Sequence, residues 1–148
     1  MSKHIRDAKL GDEVAILGLV QELAEYENAP DEVINTPEQL AIDLFVDKVC
    51  DCLVYEIEGK IRGIALYYTS YSTWKGRCLY LEDIYIQPDF RRKGIGKRLF
   101  EELVKIAKKR GVKRMDWQVL DWNEPAIQFY KSIDATLDPE WINGRLFF

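Results

Sequence analysis

The feature that most restricts how this chain can fold is a strand that leads through a basic, glycine-containing turn into a helix. Residues 78–86 form a mostly apolar run typical of a buried strand, and residues 94–110 have the spacing of an amphipathic helix. Between them lies Arg-x-x-Gly-x-Gly at positions 91–96. A helix N-terminus offers unpaired backbone N–H groups, and glycines allow a ligand to approach that backbone. The segment therefore predicts a phosphate-binding turn.

Two other phosphate-binding loops fail at specific positions. A P-loop would need glycine at position 91 and a hydroxyl side chain at position 98, where the chain has Arg91 and Arg98. A dinucleotide-binding turn would need a third glycine at position 99, where the chain has Leu99. The turn therefore matches neither a P-loop nor a dinucleotide-binding turn.

The remaining segments predict a mixed sheet with helices on its faces. Strands are predicted at residues 4–8, 52–57, 61–71, 78–86 and 113–120, with one or two more near the end. Helices are predicted at residues 11–27, 36–45, 94–110 and 123–132. The hairpins predicted in the middle of the chain require antiparallel strand pairs, and the strand–helix–strand crossovers predicted later require parallel pairs. We expect one α/β (α+β) domain over residues 1–148, with a twisted mixed sheet of six to seven strands and about four helices.

Charge is distributed unevenly along the chain. Residues 1–60 contain 14 Asp and Glu but 5 Lys and Arg, whereas residues 91–114 contain 11 of the 21 Lys and Arg and two acids. An acidic region favours a cationic partner and a basic region an anionic one, although both also fit solvated helix faces. The net charge is −4 and no nucleic-acid motif is present, so we expect no nucleic-acid partner.

The cysteine and histidine content argues against a disulfide framework, a metal site and an acyl-enzyme. Three cysteines (Cys50, Cys52 and Cys78) are an odd number, and no signal peptide is predicted. Cys50 and Cys52 lack a second Cys/His pair, and the sole histidine, His4, lies in the first predicted strand. No apolar run approaches the roughly 18 residues that span a bilayer. We expect no metal, no membrane association and a cytoplasmic location.

Three segments together resemble the GCN5-related N-acetyltransferase (GNAT) family. The first is the Arg-x-x-Gly-x-Gly turn at 91–96, and the second is residues 121–131, in which Asn123 precedes a short helix ending in Phe129-Tyr130. The third is Leu-Tyr-Leu-Glu-Asp at 79–83. The resemblance covers nearly the whole chain and is greatest to the diamine (spermidine/spermine) and thialysine acetyltransferases.

The resemblance implies an N-acetyltransferase fold that uses acetyl-coenzyme A. It places the pantetheine arm against Ile84, Tyr85 and Ile86. The residues implied at the pyrophosphate are Arg91, Arg92, Lys93, Gly94, Ile95, Gly96 and Lys97. The residues implied on the other side of the pantetheine arm are Asn123, Glu124, Pro125, Ala126 and Tyr130.

The resemblance also implies direct acetyl transfer in a ternary complex. An alkylamine with a pKa near 10.4 must lose a proton before it can attack. Glu82 is implied as the base acting through water, and its apolar neighbours lead us to expect that it is buried. Tyr130 is implied as the proton donor to the coenzyme A sulfur. A backbone N–H near Ile84 or Tyr85 is expected to stabilise the oxyanion.

The resemblance also implies residues around the acceptor amine. The residues implied around it are Tyr26, Glu27, Trp74, Glu82 and Asp83, an acidic and aromatic set that suits an alkylammonium. Diamines, polyamines and thialysine-like amino acids all fit, while Ser72 stands where polyamine enzymes carry an acid. Acetylation of a protein N-terminus or lysine, and a non-catalytic coenzyme-A-binding module, remain alternatives. The resemblance further implies a homodimer.

Overall fold

A computed structural model describes residues 3–148, and its elements follow the predicted order through α4. They are β1 (Ile5–Asp7), α1 (Glu13–Tyr26), α2 (Pro37–Ala41), β2 (Asp51–Ile57), β3 (Lys60–Ser72), β4 (Gly76–Ile86), α3 (Ile95–Arg110), β5 (Met115–Trp117) and α4 (Glu124–Ser132). A π-helical segment, Ile42–Val46, follows α2, and short 3-10 helices lie at Pro30–Glu32 and Pro88–Phe90. The chain forms two compact units, the first ending at Gln118 and the second running from Val119 to Phe148.

The sheet lies in the first unit and has the strand order β1-β2-β3-β4-β5. Neighbouring strands from β1 to β4 are antiparallel, whereas β4 and β5 are parallel. The predicted mixed sheet with helices is therefore confirmed. The long hairpin of β3 and β4 is also confirmed. Gly76, at the end of its turn, has a φ of 83°, which glycine adopts readily.

The predicted number of strands is wrong, because residues 3–148 contain five strands where six to seven were expected. Residues 133–148 include no strand, and Trp141, Ile142 and Leu146 are exposed there. Alternating apolar residues form a strand only when their backbone groups find a neighbouring strand, and this segment has none. The strand predicted at 113–120 is also shorter, since β5 pairs with β4 over three residues.

The two faces of the sheet pack against different helices. Apolar residues of α1, α2 and the π-helical segment cover one face, and they include Ile16, Leu19, Leu40 and Leu44. Ile64 of β3 packs in this cluster, whereas the adjacent Gly63 faces Leu99 of α3. Because successive residues of a strand point to opposite faces, α1 and α3 lie on opposite sides. We call the first side the α1 face.

Side-chain caps mark the start of α2 and of α4. The Thr36 hydroxyl accepts a hydrogen bond from the Gln39 N–H at 3.1 Å, and Pro37 occupies the first helical position, as predicted. The Asn123 side chain caps α4 by accepting from the Ala126 N–H at 3.4 Å. Gly94 precedes α3 with a φ of 75°, and no side chain caps that helix.

Candidate active site

The edge of β4 that faces away from β3 is only partly covered. β5 pairs with β4 at Leu79–Leu81, although β4 continues to Ile86. Within residues 3–118, no strand pairs with this edge at positions 82–86. Its backbone groups are therefore placed to pair with an extended ligand, as in the addition of a strand to a sheet.

The hydrogen-bond register shows which backbone groups face this edge. The Gln87 N–H donates to the Arg62 carbonyl at 2.9 Å, so position 87 points toward β3. Because hydrogen-bonded and non-hydrogen-bonded pairs alternate, the N–H groups of Ile84 and Ile86 point away from β3, while that of Tyr85 points toward it. Of the two oxyanion donors that we expected, Ile84 therefore has the suitable direction.

A β-bulge interrupts β4 at Glu82. Leu66 pairs with Asp83 and Tyr67 with Leu81, so Glu82 has no partner on β3. Bulges redirect side chains and are frequent beside active sites. The expectation that Glu82 is buried is wrong, because the bulge leaves this side chain exposed.

Asp83 is the more enclosed of the two carboxylates. It lies opposite Leu66, on the α1 face. Burial, followed by the negative charges of Glu82 and Glu27, raises the pKa of Asp83 to about 6. Burial also raises the pKa of Glu27, which caps the C-terminal end of α1. The structure thus brings together three of the predicted acceptor-site carboxylates.

The Arg91 side chain lies beside two tyrosines. Its guanidinium is 5.4 Å from the ring centroid of Tyr26 and 5.3 Å from that of Tyr85, and its Nε donates to the Ile86 carbonyl at 2.9 Å. The Tyr85 hydroxyl donates to Glu22 at 3.2 Å. Arg91 was predicted as a pyrophosphate ligand, but in this structure its side chain connects the end of β4 to α1.

The glycine-containing turn presents free donors. Positive φ angles of 62° at Arg92 and 75° at Gly94 fold the backbone tightly before α3. The first backbone hydrogen bond of the helix runs from the Arg98 N–H to the Gly94 carbonyl at 3.0 Å. The preceding N–H groups of the first turn, including those of Ile95, Gly96 and Lys97, have no partner within the helix. Arg92 and Lys93 are exposed beside them.

The second unit contains the remaining predicted cofactor residues. Glu124, Pro125 and Ala126 form the first turn of α4, after the capping Asn123. Tyr130 is buried, and this burial raises its pKa to about 12. Its phenol is therefore protonated at neutral pH.

One predicted acceptor residue lies apart from the carboxylates. Trp74 is in the turn between β3 and β4, with 87% of its surface exposed. Six strand positions separate Gly76 from Glu82, which corresponds to about 20 Å. Ser72 closes this turn, since its hydroxyl accepts hydrogen bonds from the Trp74 and Lys75 N–H groups at 3.2 Å each. Within one chain, Trp74 does not reach Glu82.

Sequence reasoning missed two tyrosines near Glu82. Tyr68 pairs with Tyr80 across β3 and β4, and their rings stack with centroids 5.2 Å apart. The observed hairpin is centred on Trp74, so positions six residues before and after it lie opposite each other. The predicted strands at 61–71 and 78–86 did not fix this centre, so the pairing became evident only from the register.

Residues 3–148 contain neither a metal-binding cluster nor a helix that could span a membrane. No group of His, Cys, Asp or Glu side chains in this part of the chain is arranged to hold a metal ion. None of the helices described above combines the length and hydrophobicity needed to cross a membrane.

Comparison with known proteins identifies the type of domain. The profile of the "Acetyltransferase (GNAT) family" matches residues 17–134. A thialysine N-epsilon-acetyltransferase from Bos taurus is 44% identical over 140 residues, covering 88% of this chain and 82% of the relative. One from Caenorhabditis elegans is 39% identical over 134 residues, covering 88% and 83%.

A solved structure shares the fold. The crystal structure of a possible acetyltransferase from Clostridium difficile 630 superposes with a TM-score of 0.82 and 22% sequence identity, covering 97% of each chain. The fold implied by the resemblance is thus confirmed, apart from the number of strands.

Proposed function

Since the chain belongs to the GNAT acetyltransferase family, we propose that it transfers the acetyl group of acetyl-coenzyme A to a primary amine of a small molecule. The acceptor is a thialysine-like amino acid or a diamine. The relatives named as thialysine N-epsilon-acetyltransferases support this choice, since they match most of the chain at 39–44% identity. A cytoplasmic location and a homodimer remain predictions.

One observation carries the proposal: the uncovered edge of β4 leads directly to the uncapped turn before α3. The edge at Ile84 and Ile86 offers backbone groups for the amides of a pantetheine arm. The turn offers N–H groups and the cations Arg92, Lys93 and Lys97 for a pyrophosphate. These donors fit the extended shape and the terminal charge of acetyl-coenzyme A.

The carboxylates supply the proton acceptor. When bound, acetyl-coenzyme A supplies an activated thioester. Glu82 or Asp83 binds the incoming ammonium and takes its proton, through water or directly. Asp83 suits this step, because a group with a pKa of about 6 is ionised at neutral pH and still basic enough to accept a proton.

Two donors complete the proposed chemistry. The Ile84 N–H is directed away from β3 and stabilises negative charge that develops on the acetyl oxygen. The Tyr130 phenol would donate a proton to the departing sulfur, as the resemblance implies, since burial raises its pKa and the phenol is protonated at neutral pH. No nucleophilic side chain is needed, because the amine attacks directly.

An acetylation assay tests the proposal. Purified protein is incubated with acetyl-coenzyme A and, separately, thialysine, lysine, putrescine, spermidine and a lysine-containing peptide, and the released thiol is measured. We expect turnover with a small amine and none with the peptide alone. The Tyr130→Phe variant should lower kcat by about 100-fold and leave the KM for acetyl-coenzyme A unchanged. Turnover of the peptide but of no small amine would overturn the choice of acceptor.

A further inference from the structure

Three side chains form a row across the sheet beside Glu82. The strand register pairs Tyr68 with Tyr80 across β3 and β4, and Tyr80 with Asp116 across β4 and β5. The two rings are stacked, with centroids 5.2 Å apart and 28° between their planes. Paired residues of adjacent strands project from the same face, so the row is one surface. We call it the Tyr68–Tyr80–Asp116 row.

The row lies on the same face of the sheet as Asp83. Tyr68 follows Leu66 by two residues, and Leu66 belongs to the core on the α1 face. Asp83 is the strand partner of Leu66, so its side chain projects from that face too. All three members of the row are partly exposed. A molecule bound at Asp83 can therefore extend along the row.

The charges around the row are negative. Besides burial, the charge of Glu82 raises the pKa of both tyrosines. The pKa of Tyr80 is raised further by Asp116 and Asp83. Aromatic faces in a negative environment attract alkylammonium groups.

The carboxylate of Asp116 forms only a partly exposed ion pair. It forms an ion pair with Arg114 at 2.8 Å, and the Arg114 side chain is 45% exposed. Exposed ion pairs of this kind contribute little free energy, so a ligand cation can compete for the carboxylate.

We infer that the Tyr68–Tyr80–Asp116 row binds the second, non-reacting ammonium group of the acceptor. The reacting amine then lies at Glu82 and Asp83. Tyr80 precedes Glu82 by two positions, which is about 7 Å along the strand, so a short aliphatic chain joins the two sites. The inference rests on the proposed function and narrows it, because the acceptor must carry two cationic groups. A diamine meets this requirement, and so does an amino acid through its α-ammonium.

The test compares pentane-1,5-diamine with pentylamine, which differ only by the second ammonium. KM is measured for both amines and for acetyl-coenzyme A in the wild type and in the Tyr80→Leu and Asp116→Asn variants. We expect each variant to raise the KM for the diamine about fivefold, with the KM for pentylamine and for acetyl-coenzyme A unchanged. Tyr80→Phe keeps the ring face and should stay close to the wild type. Tyr71→Leu is the control, since this tyrosine is 75% exposed and lies on β3, outside the row.

Equal KM changes for both amines, or none, would overturn the inference. A binding measurement tests the inference independently of the proposed function. Protein labelled with ¹³C in its tyrosine rings is titrated with each amine without acetyl-coenzyme A, and the Tyr68 and Tyr80 signals are assigned by mutation. Shifts of these signals with the diamine but not with pentylamine support the row as a cation site, even if neither amine is acetylated. Identical responses to the two amines refute it.

Discussion

At the scale of single residues, the two adjacent carboxylates of β4 have different environments. The bulge leaves Glu82 exposed, whereas Asp83 lies on the α1 face near Glu27. The sequence predicted that both acids belong to the site. It predicted burial for Glu82, which is the exposed one, because the bulge depends on the register between β3 and β4 and is not visible in the sequence.

Replacement of Asp83 by Asn should lower activity and raise stability at alkaline pH. The pKa of Asp83 rises from 3.8 in the unfolded chain to about 6 in the folded one, so the folded state binds more protons between these values. Stability therefore falls as pH rises through this window, by about 3 kcal/mol at most. We expect Asp83→Asn to recover about 1–3 kcal/mol of unfolding free energy at pH 8 and almost none at pH 3.5.

Urea unfolding of wild type and variant at these two pH values measures the difference. The control is Asp31→Asn, since this side chain is exposed in a surface 3-10 helix. If the variant and the wild type had the same unfolding free energy at pH 8, the folded state would not disfavour the ionised form of Asp83. The kcat/KM of the wild type for the amine should also fall below pH 6.

At the scale of elements, α3 begins at the turn that we propose for the pyrophosphate. Gly94 needs a left-handed conformation, with a φ of 75°. Gly96 has no such requirement, and a Cβ built there would be 3.8 Å from the nearest atom of Ile86, an ordinary contact. The reason for glycine at position 96 is therefore not the fold.

Gly96→Ala should separate stability from cofactor binding. Alanine is favoured over glycine in a helix, so the unfolding free energy should rise by about 0.5–1 kcal/mol. The added methyl group lies on the helix turn that would approach the pyrophosphate, so we expect the Kd for acetyl-coenzyme A to rise on the order of tenfold. Calorimetric titration and thermal unfolding measure the two effects.

The matched control is Gly18→Ala in α1. This glycine is exposed and has no atom within 4 Å of a built Cβ, so the same stabilisation is expected without a change in Kd. If Gly96→Ala bound acetyl-coenzyme A as tightly as Gly18→Ala does, the turn would not be the pyrophosphate site.

Elements fixed by local patterns were predictable, and those fixed by pairing were not. Helix α3 was predicted at 94–110 and occupies Ile95–Arg110, because its glycines and apolar spacing lie in the segment itself. The length of β5 and the absence of strands after Ser132 depend on neighbouring strands. The same holds for the candidate site, where Tyr68 and Asp116 meet Tyr80 only through register.

At the scale of the whole molecule, the basic region is less uniform than its composition indicates. Several of its cations pair with carboxylates: Lys97 with Glu101 at 4.0 Å, Lys105 with Glu102 at 3.2 Å, Arg110 with Asp51 at 3.4 Å and Arg114 with Asp116 at 2.8 Å. Arg92 and Lys93, beside the glycine turn, form no ion pair with any carboxylate in residues 3–148. Lys108, Lys109 and Lys113 form no such pair either, so unpaired positive charge lies at both ends of α3, and only Arg92 and Lys93 lie beside the turn where we propose that the phosphates bind.

This distribution predicts a salt dependence that is specific to the turn. Charges separated by more than about 10 Å are screened at 0.1 M salt, so only cations close to the phosphates contribute to binding. We expect the Kd for acetyl-coenzyme A to rise on the order of tenfold between 0.05 and 0.5 M NaCl. Arg92→Gln should weaken binding at low salt and flatten this dependence. Lys109→Gln removes the same charge about 20 Å further along α3 and should leave the salt dependence of the Kd unchanged. If the Kd depended on salt equally in both variants, net charge alone would attract the cofactor.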